Sequence, residues 1–413
     1  MDSSDGIDRS AANLVVVDRH FTGHRQGFNG PTIHRLSQEK GVKVADLTPV
    51  QKERAEEART RFTRPSFMLQ IGFVLSLILI PLFVPSFRVM DVLAKIMILT
   101  VAVASFDLIL GYTGQLSLGH AMFFGFGAYS LGLVIHHSGT PQLYHFAIAV
   151  GIALAISVVV AVVIAFFSLR VKAIFFAMMT LALAEFGHIL AVQWYDLTLA
   201  EDGVSFKLPS IFNVQWSAGK LLGADLNGRL VTYYVILIVS ILLFAGMLRF
   251  VRSPVGRVLQ SIRDNEQRSI AIGFRTFRYQ TFSIIFGSAM ASLAGVLFAM
   301  WLRYVNPDSV MSLALMLNIL LMCIIGGMGT MYGAIIGAAF LQITETWLPD
   351  LQKLAVAAFP QNELVHRMSE RWILYFGILF VLVVYFFPKG VVGTARDIIA
   401  ARKVVKKENT EHA

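Results

Sequence analysis

The stretch GYTGQLSLGHAMFFGFGAYS, residues 111–130, is too apolar for a soluble loop and too rich in glycine and polar side chains for an ordinary lipid-facing helix. It holds five glycines together with Gln115, Ser117 and His120. Glycines let the backbones of membrane helices approach closely, and they permit breaks whose freed amide and carbonyl groups must be satisfied by protein or by a water-filled cavity. The stretch therefore predicts a broken membrane segment that is buried inside a protein.

The glycines predict where the break lies and how the next helix packs. Gly111 and Gly114 are expected to bracket the break. Gly119, Gly125 and Gly127 are expected to give the following helix one face of small residues, which a neighbouring backbone can approach.

The polar side chains of the stretch predict a function for the break. Polar groups are costly in lipid, so Gln115 and His120 are expected to point into the protein. For His120 alone, a hydrogen bond to a neighbouring helix is the simpler interpretation. The group as a whole is typical of transporters, which build a substrate path near the membrane centre from broken helices. The residues predicted to line or brace such a path are Gln115, Ser117, His120, Gly111, Gly114 and Gly119.

The composition of the whole chain supports a membrane protein. Of its 413 residues 56% are hydrophobic and 15% charged, and the mean hydropathy is +0.66. The apolar runs are continuous and long enough for membrane helices, about twice the length of a barrel strand, so an all-α polytopic fold is expected. These runs are 67–84, 89–110, 116–136, 143–168, 172–193, 230–250, 281–301 and 372–388, with a glycine-interrupted run at 311–348.

Charge predicts the topology, because Lys and Arg are retained on the cytoplasmic side during insertion. Residues 249–280 carry seven arginines against two acids, and the tail after residue 388 and the connection holding Arg170 and Lys172 are also basic. These segments are expected in the cytoplasm, whereas 137–142 and 194–229 are expected outside. Both termini are then cytoplasmic, and 311–348 enters and leaves on the outer side as two short spans or as a re-entrant hairpin. The prediction is nine or ten membrane segments.

Three regions are expected along the chain. Residues 1–66 form a polar cytoplasmic extension, mostly disordered up to about residue 48 and without the apolar core of a cleavable signal peptide. Residues 67–390 form the transmembrane domain, with a cytoplasmic loop at 249–280. Residues 391–413 form a basic cytoplasmic tail.

A second glycine-rich stretch, IIGGMGTMYGAIIGAA at residues 324–339, resembles the first in kind. Gly326, Gly327 and Gly329 predict a second break that contributes to the path. Two glycine-broken segments in different halves of a chain are what an internal repeat leaves behind. For Gly333 and Gly337, ordinary tight helix packing is the alternative.

Glu185 and His188 lie three residues apart within an apolar run and so share a helix face. An acidic side chain inside a membrane is a candidate for proton or substrate contact. Because the two residues fall late in the segment, near the outer surface, a buried structural pair is the favoured interpretation.

The cytoplasmic segment RSPVGRVLQSIRDNEQRSIAIGF, residues 252–274, predicts two short amphipathic helices. Ser253 and Pro254 mark the start of the first. Asp264 is expected to open the second, which Gly273 closes. Such a pair lies on the membrane surface or docks into a partner's groove, and composition leaves both options open.

Several motifs are absent from the sequence. It contains no G-x-x-x-x-G-K-[ST] phosphate loop, no G-x-G-x-x-G opening a helix, no H-E-x-x-H and no paired-cysteine metal pattern, and Cys323 is its single cysteine. We therefore expect no catalytic residues, no metal and no cofactor, and any energy from ATP must come from another chain. With no recognisable nucleic-acid module, no nucleic-acid partner is expected.

Taken in order, the motifs resemble one family. GYTGQLSLGHAMFFGFGAYS, AIFFAMMTLALAEFGHIL, RSPVGRVLQSIRDNEQRSIAIG, FGSAMASLAGVLFA and IIGGMGTMYGAIIGA are similar to the permease subunits of ATP-binding-cassette importers for branched-chain amino acids, and specifically to the M-type member of their permease pair. The resemblance covers roughly residues 70–390.

The resemblance implies an assembly in the bacterial inner membrane. It implies a heterodimer with a second permease, embedded in lipid, together with two cytoplasmic ATPase subunits and a periplasmic binding protein that delivers the substrate. In such importers a short cytoplasmic helix sits in a cleft of the ATPase, which favours the partner groove for this segment. The matching residues here, implied to act in coupling, are Asp264, Asn265, Glu266, Arg268 and Gly273.

The sequence departs from the family pattern at three places. Asp107 stands where the family usually carries Asn, and it either alters the path or lies at the level of the cytoplasmic headgroups. DLTLAEDGVS at residues 196–205 stands where the family tends towards T-G-G-x-x-G, which affects the outer face. The extension 1–66 is longer than usual, and the sequence assigns it no purpose.

Other substrates and mechanisms remain open at this stage. Related permeases carry urea, short amides or pentoses, and the binding protein makes much of the selection. An ion-coupled secondary transporter is a different class, in which Glu185, His188 and Asp107 would handle protons. A membrane enzyme is disfavoured, since no nucleophile, base and metal constellation is visible.

Overall fold

A computed structural model describes residues 72, 75–81, 83, 86–139, 141–168, 173–212, 217–221, 224–358, 372–387 and 390–394. The chain divides into two units, residues 1–74 and 75–413. The helices and strands named in this subsection all lie in the second unit. The predicted extension 1–66, most of the tail 391–413 and the connection holding Arg170 and Lys172 lie outside the described residues, as does much of the first apolar run at 67–84, of which residues 75–81 are helical.

Helices make up most of the described chain. The long ones are α1 (Phe87–Thr113), α2 (His120–His137), α3 (Leu143–Ser168), α4 (Ala173–Gln193), α6 (Gly228–Val251), α9 (Thr276–Leu302), α11 (Leu313–Gly326), α12 (Met331–Ala358) and α13 (Trp372–Phe386). The short ones are α5 (Tyr195–Thr198), α7 (Pro254–Asp264), α8 (Glu266–Ala271) and α10 (Pro307–Val310), with single 3-10 turns at Ala200–Asp202 and Ser210–Phe212.

The apolar runs became helices because a backbone in hydrocarbon must satisfy its own hydrogen bonds. Six helical stretches among the described residues are long and apolar enough to cross a membrane: Phe87–Thr113, Leu143–Phe167, Ile174–Gln193, Gly228–Val251, Thr276–Leu302 and Pro307–Gly326. This confirms an all-α polytopic membrane protein.

The run at 311–348 folds as a pair of helices joined by a short turn. α11 has 14 residues and is about 21 Å long, whereas α12 has 28 residues and is about 42 Å long. α12 continues past Pro349 to Ala358, which is ten residues beyond the end of the predicted run.

The long helices differ in how deeply they are buried. Within the apolar window of α1, 89% of residues are buried, whereas the share is 28% in each of α3, α4 and α6. Large side chains with no exposure, such as Phe106, Phe124 and Tyr233, come from α1, α2 and α6. α1 is therefore central, and α3, α4 and α6 present apolar surface outward, for lipid or for another membrane subunit.

Glycines let α2 and α9 approach closely. Gly127 of α2 faces the carbonyl oxygen of Ser292, and Gly295 of α9 faces the carbonyl oxygen of Phe124. A Cβ atom at either glycine would overlap with that oxygen. The two backbones are in contact because neither residue has a side chain.

The glycines of α2 do not form the single small-residue face that the sequence predicts. Gly119 faces Thr180 of α4, Gly125 faces the side chain of Met311, and Gly127 faces α9. Positions 125 and 127 are about 200° apart around a helix, so they cannot share a face. α2 is buried on nearly all sides, and each glycine meets a different neighbour.

Two small antiparallel sheets lie in the connections. β1 (Val204–Ser205) pairs with β4 (Tyr304–Val305), and β2 (Ser217–Leu221) pairs with β3 (Ala224–Asn227). Arg303 donates a hydrogen bond to the carbonyl oxygen of Phe212 at 2.7 Å, and the Tyr304 hydroxyl donates one to the carbonyl oxygen of Asp202 at 3.1 Å. The segment between α4 and α6 is thereby attached to the C-terminal end of α9.

Candidate translocation and coupling site

The first predicted break lies between α1 and α2. α1 ends at Thr113, Gly114 has a φ of +77°, and α2 begins at His120. The amides of Gly114 and Gln115 donate to the carbonyl oxygens of Leu110 and Ile109 at 3.0 and 3.1 Å, so the freed backbone is satisfied by the helix end. Gly111 lies inside the last turns of α1. The break is therefore at residues 114–119, slightly later than Gly111 and Gly114 suggested.

His120 points into the protein. Its side chain is fully buried, its Nε2 lies 2.8 Å from Oγ of Ser105 in α1, and its ring centroid lies 5.4 Å from that of Phe106. This is the hydrogen bond to a neighbouring helix that the simpler interpretation requires. Ser117 is also buried, and Gln115 is half-buried at the mouth of the break.

The second predicted break is the turn between α11 and α12. Gly327 and Gly329 have positive φ angles of 107° and 76°, and the Thr330 hydroxyl donates to the carbonyl oxygen of Gly327 at 2.6 Å. Just before the turn, Gly326 of α11 lies directly against Gly333 of α12. A Cβ atom at Gly326 would overlap with the carbonyl oxygen of Gly333, so the absence of a side chain allows the two helices to touch. Gly333 therefore takes part in tight helix packing, which was the alternative expected for this residue.

The two breaks meet at Asp107. The amide of Gly329 donates to Oδ1 of Asp107 at 2.7 Å, across 222 residues of sequence. A Cβ atom at Gly111 would overlap with that same oxygen and with the amide nitrogen of Gly329. Asp107 is only 2% exposed, and the Cys323 thiol donates to its Oδ1 at 3.5 Å. Asp107 is thus buried between the breaks.

Arg263, at the end of α7, also reaches this point. Its Nη1 donates to the carbonyl oxygen of Gly111, and a Cβ atom at Gly329 would lie 2.6 Å from the same nitrogen. A Cβ atom at Gly114 would lie 3.3 Å from Cγ of Arg263. We name the cluster of Asp107, Gly111, Arg263 and Gly329 the glycine junction. It joins both breaks to the cytoplasmic segment.

The arginine-rich segment 249–280 forms two short helices, as the sequence predicts, but the second is capped by a different residue. The Ser253 hydroxyl accepts from the amide of Gly256 at 3.3 Å and caps α7. The second helix, α8, is capped by Asn265, whose side chain accepts from the amide of Arg268 at 2.9 Å. Asp264 instead ends α7, because the chain is extended at Asn265. Gly273, with a φ of +96°, follows α8.

The residues implied to act in coupling are mostly accessible. Asp264, Glu266 and Arg268 are exposed, and Glu266 accepts a hydrogen bond from Gln280 of α9 at 3.3 Å. A cleft of about 410 Å³ adjoins them, lined by Val255, Gly273, Phe274, Arg275, Arg278, Tyr279 and Phe282. The segment thus presents exposed charge beside a basic, aromatic cleft, which suits a protein partner.

Comparison with known proteins identifies the chain. Residues 88–386 match the family model described as "Branched-chain amino acid transport system / permease component". The chain belongs to this permease family. The described residues of this permease contain no group of three His, Cys, Asp or Glu side chains that could hold a metal ion.

Named relatives of this permease include LivM and LivH proteins. The high-affinity branched-chain amino acid transport system permease protein LivM of Salmonella typhimurium is 24% identical over 320 residues, which are 74% of this chain and 70% of the relative. LivM of Escherichia coli K12 is 24% identical over 76% of this chain and 72% of its own. LivH of Escherichia coli K12 is 28% identical over only 40% of this chain and 52% of its own. No solved structure matches.

No hydrogen bond or ion pair joins Glu185 and His188 of the permease in the described structure. Nε2 of His188 lies 3.1 Å from Oδ1 of Asp308, which the short helix α10 presents to α4. Both residues of α4 are half-buried. Asp308 belongs to a later connection 120 residues away, so sequence spacing could not indicate it.

Arg263 and Asp107 are the site residues that sequence reasoning missed. Arg263 was counted only among the seven arginines that set topology, and Asp107 was named as a departure from a family pattern and as a proton-handling residue of the alternative transporter, but with neither break. One signal was present: Arg263 directly precedes Asp264, the first of the residues implied to act in coupling.

Proposed function

We propose that this permease is the M-type membrane subunit of an ATP-binding-cassette importer that carries branched-chain or other neutral amino acids into the cytoplasm. The observation that carries the proposal is the match to LivM proteins over about three quarters of both chains, whereas the LivH match covers only 40% of this chain. The substrate is inferred from the names of those relatives.

The importer we propose has four other components: a second permease, two cytoplasmic ATPase subunits and a periplasmic binding protein. The outward apolar surfaces of α3, α4 and α6 supply room for the second permease and for lipid. The ATPase subunits are inferred because the sequence has no phosphate loop and the exposed segment around α8 suits a soluble partner. The permease itself is not expected to hydrolyse ATP.

We further propose nine or ten membrane segments in the bacterial inner membrane, with both termini cytoplasmic. The arginine-rich segment 249–280 contacts the C-terminal end of α1 through Arg263, whereas the loop after α4 contacts the C-terminal end of α9 through Tyr304. Charge predicts these two segments on opposite sides of the membrane. In the proposed topology the C-terminal ends of α1 and α9 lie on those same two sides, so each segment contacts a helix end on its own side. In this arrangement residues 67–390 form the transmembrane domain, 1–66 an extension and 391–413 a tail.

The proposed path passes the two breaks. Gln115 and Ser117 offer polar groups in the first break. Positive φ angles shape the backbone of both breaks, at Gly114 in the first and at Gly327 and Gly329 in the second. Gly111, Gly119 and Gly326 provide close backbone packing, and His120 braces α2 against α1. We assign coupling to the ATPase to Asp264, Asn265, Glu266, Arg268 and Gly273.

The experiment that tests this function is uptake of labelled leucine by the native cell with and without the chain. Isoleucine, valine, urea and ribose serve as unlabelled competitors. Loss of uptake on deletion, with competition by the branched-chain amino acids alone, is the expected result. Unchanged leucine uptake would refute the proposed substrate. Uptake that survives ATP depletion and is lost on proton uncoupling would favour an ion-coupled transporter instead.

A further inference from the structure

The glycine junction joins three segments that lie far apart in sequence. They are the C-terminal end of α1, the end of α7 and the turn between α11 and α12. Asp107 contacts the turn, and Arg263 contacts α1. Any movement of one of these segments relative to the others must change at least one of these two hydrogen bonds.

Asp107 holds the turn against α1. Its Oδ1 accepts from the Gly329 amide at 2.7 Å and from the Cys323 thiol at 3.5 Å, and the side chain is 2% exposed. A hydrogen bond to an ionised acceptor is about twice as strong as one between neutral groups, and it is stronger still where water is excluded. The fit is tight, because a side chain at Gly111 would displace both the carboxylate and the turn.

Arg263 holds the end of α7 against the same point. Its guanidinium donates to the Gly111 carbonyl oxygen and lies beside Gly329, so that it and the Asp107 carboxylate flank the turn from two sides. The opposite charges favour this arrangement. α7 continues through Asn265 into α8, which carries the exposed residues we assign to coupling.

We propose that Asp107 and Arg263 are positioning residues of the transport cycle, which together hold both breaks closed against each other. Arg263 links displacement of α7 and α8 to the breaks, because α1 follows α7 while the hydrogen bond from Arg263 to Gly111 is kept and separates from it once that bond is released. Asp107 then determines whether the α11–α12 turn follows α1. This inference rests on the proposed function, in which α8 receives its displacement from an ATPase.

Cys323 offers a direct readout of the junction. It is the single cysteine of the chain, it is 2% exposed, and its sulfur contacts Asp107. Because the thiol is buried against Asp107, opening of the junction would expose it to a maleimide. The rate of labelling at Cys323, followed by mass spectrometry of its peptide in the intact complex in liposomes, therefore reports the open fraction.

The variant Arg263→Gln should increase the labelling rate roughly tenfold, the effect of losing one hydrogen bond to a charged group. Asp107→Ala removes the acceptor of two hydrogen bonds and should increase the rate at least as much. Asp107→Asn keeps an oxygen acceptor for Gly329 but loses the negative charge, so its labelling rate should rise by a smaller factor than that of Asp107→Ala. Arg257→Gln is the matched control, since Arg257 is an exposed arginine of the same helix outside the junction. Wild-type labelling of Arg263→Gln, or an equal increase for Arg257→Gln, would overturn the proposal.

A second measurement separates positioning from a purely structural role. With Arg263→Gln, ATP hydrolysis by the complex should continue while substrate uptake falls roughly tenfold, and Arg263→Lys should recover part of the uptake because it keeps a cationic donor. If uptake and hydrolysis fall together in both variants, Arg263 supports the fold and not the cycle.

The wild-type complex allows a test that does not depend on whether a variant folds. Cys323 labelling should differ at least severalfold between the nucleotide-free complex and the complex trapped with ATP, and equal labelling in both states would overturn the proposal. The Arg263→Gln labelling arm requires neither the transported solute nor ATP. The labelling of Cys323 in this variant can therefore be interpreted even if the substrate assignment or the proposed ATPase partner is wrong.

Discussion

Leu199 and Ala200 lie in the left-handed backbone region, with φ angles of 55° and 48°. L-residues rarely adopt this conformation, because Cβ comes close to the following carbonyl oxygen at a cost of roughly 1–2 kcal/mol per residue. The two residues stand in TLAEDG, residues 198–203. Side chains therefore occupy a turn whose backbone suits glycine, and the turn is under strain.

Replacing Ala200 with Gly should stabilise the protein. The change removes the Cβ contact, and part of that gain is offset by the greater freedom of glycine in the unfolded chain, so we expect an increase of about 1 kcal/mol in the free energy of unfolding. The midpoint of thermal unfolding of the purified complex measures it. Ala147→Gly, at an exposed position in the regular helix α3, is the control and should lower stability by up to ~1 kcal/mol.

Single residues of the site were predictable only where their chemistry is unusual for a membrane. His120 was expected to point inward because an imidazole is costly in lipid, and it does. Asp107 was expected either to alter the path or to lie at headgroup level, and neither expectation placed it between the two breaks, where the structure has it buried. Arg263 could not be separated from the other arginines of its segment, since only the fold brings it to Gly111.

At the scale of helices, the contact between α2 and α9 depends on two glycines. Gly127→Ala should destabilise the protein by about 1–3 kcal/mol, because the new Cβ overlaps with the Ser292 carbonyl oxygen and backbone must shift. Gly151→Ala is the matched control in α3, where a Cβ meets no atom within 4 Å. It should leave stability unchanged or raise it by up to ~1 kcal/mol. Equal thermal midpoints for the two variants would contradict the close packing.

Most elements could be predicted, because hydrocarbon permits few structures. Continuous apolar runs had to be helices, and glycines marked both breaks. The cap of α8 was misassigned to Asp264, since Asp and Asn both cap helices and the two residues are adjacent. The meeting of the breaks was not predictable, because Asp107 and Gly329 are 222 residues apart and no local pattern relates them.

At the scale of the molecule, the two ends of the membrane domain differ in charge and in structure. One end carries the arginine-rich helices α7 and α8, and the other carries the small sheet formed by β1 and β4. The proposed topology places the first in the cytoplasm and the second outside, where the altered turn at Leu199 and Ala200 would face the binding protein.

Membrane-impermeant thiol reagents test this orientation. In a Cys323→Ser background, which keeps a donor beside Asp107, Asp196→Cys should be labelled in intact spheroplasts and Gln260→Cys only after permeabilisation. Both positions are exposed in the structure. Labelling of Gln260→Cys from outside would mean that the topology is inverted.

The burial of Asp107 has a consequence for how the chain is made. α1 emerges from the ribosome long before its partner, since Gly329 follows Asp107 by 222 residues, roughly 10–40 s of synthesis. During that interval the carboxylate has no turn to bind. Asp107 lies six residues before the end of α1, about 9 Å along the helix, so in the proposed topology it is close to the cytoplasmic headgroups before the turn is made. The junction is therefore completed late in biogenesis, when the α11–α12 turn arrives and the Gly329 amide reaches Asp107.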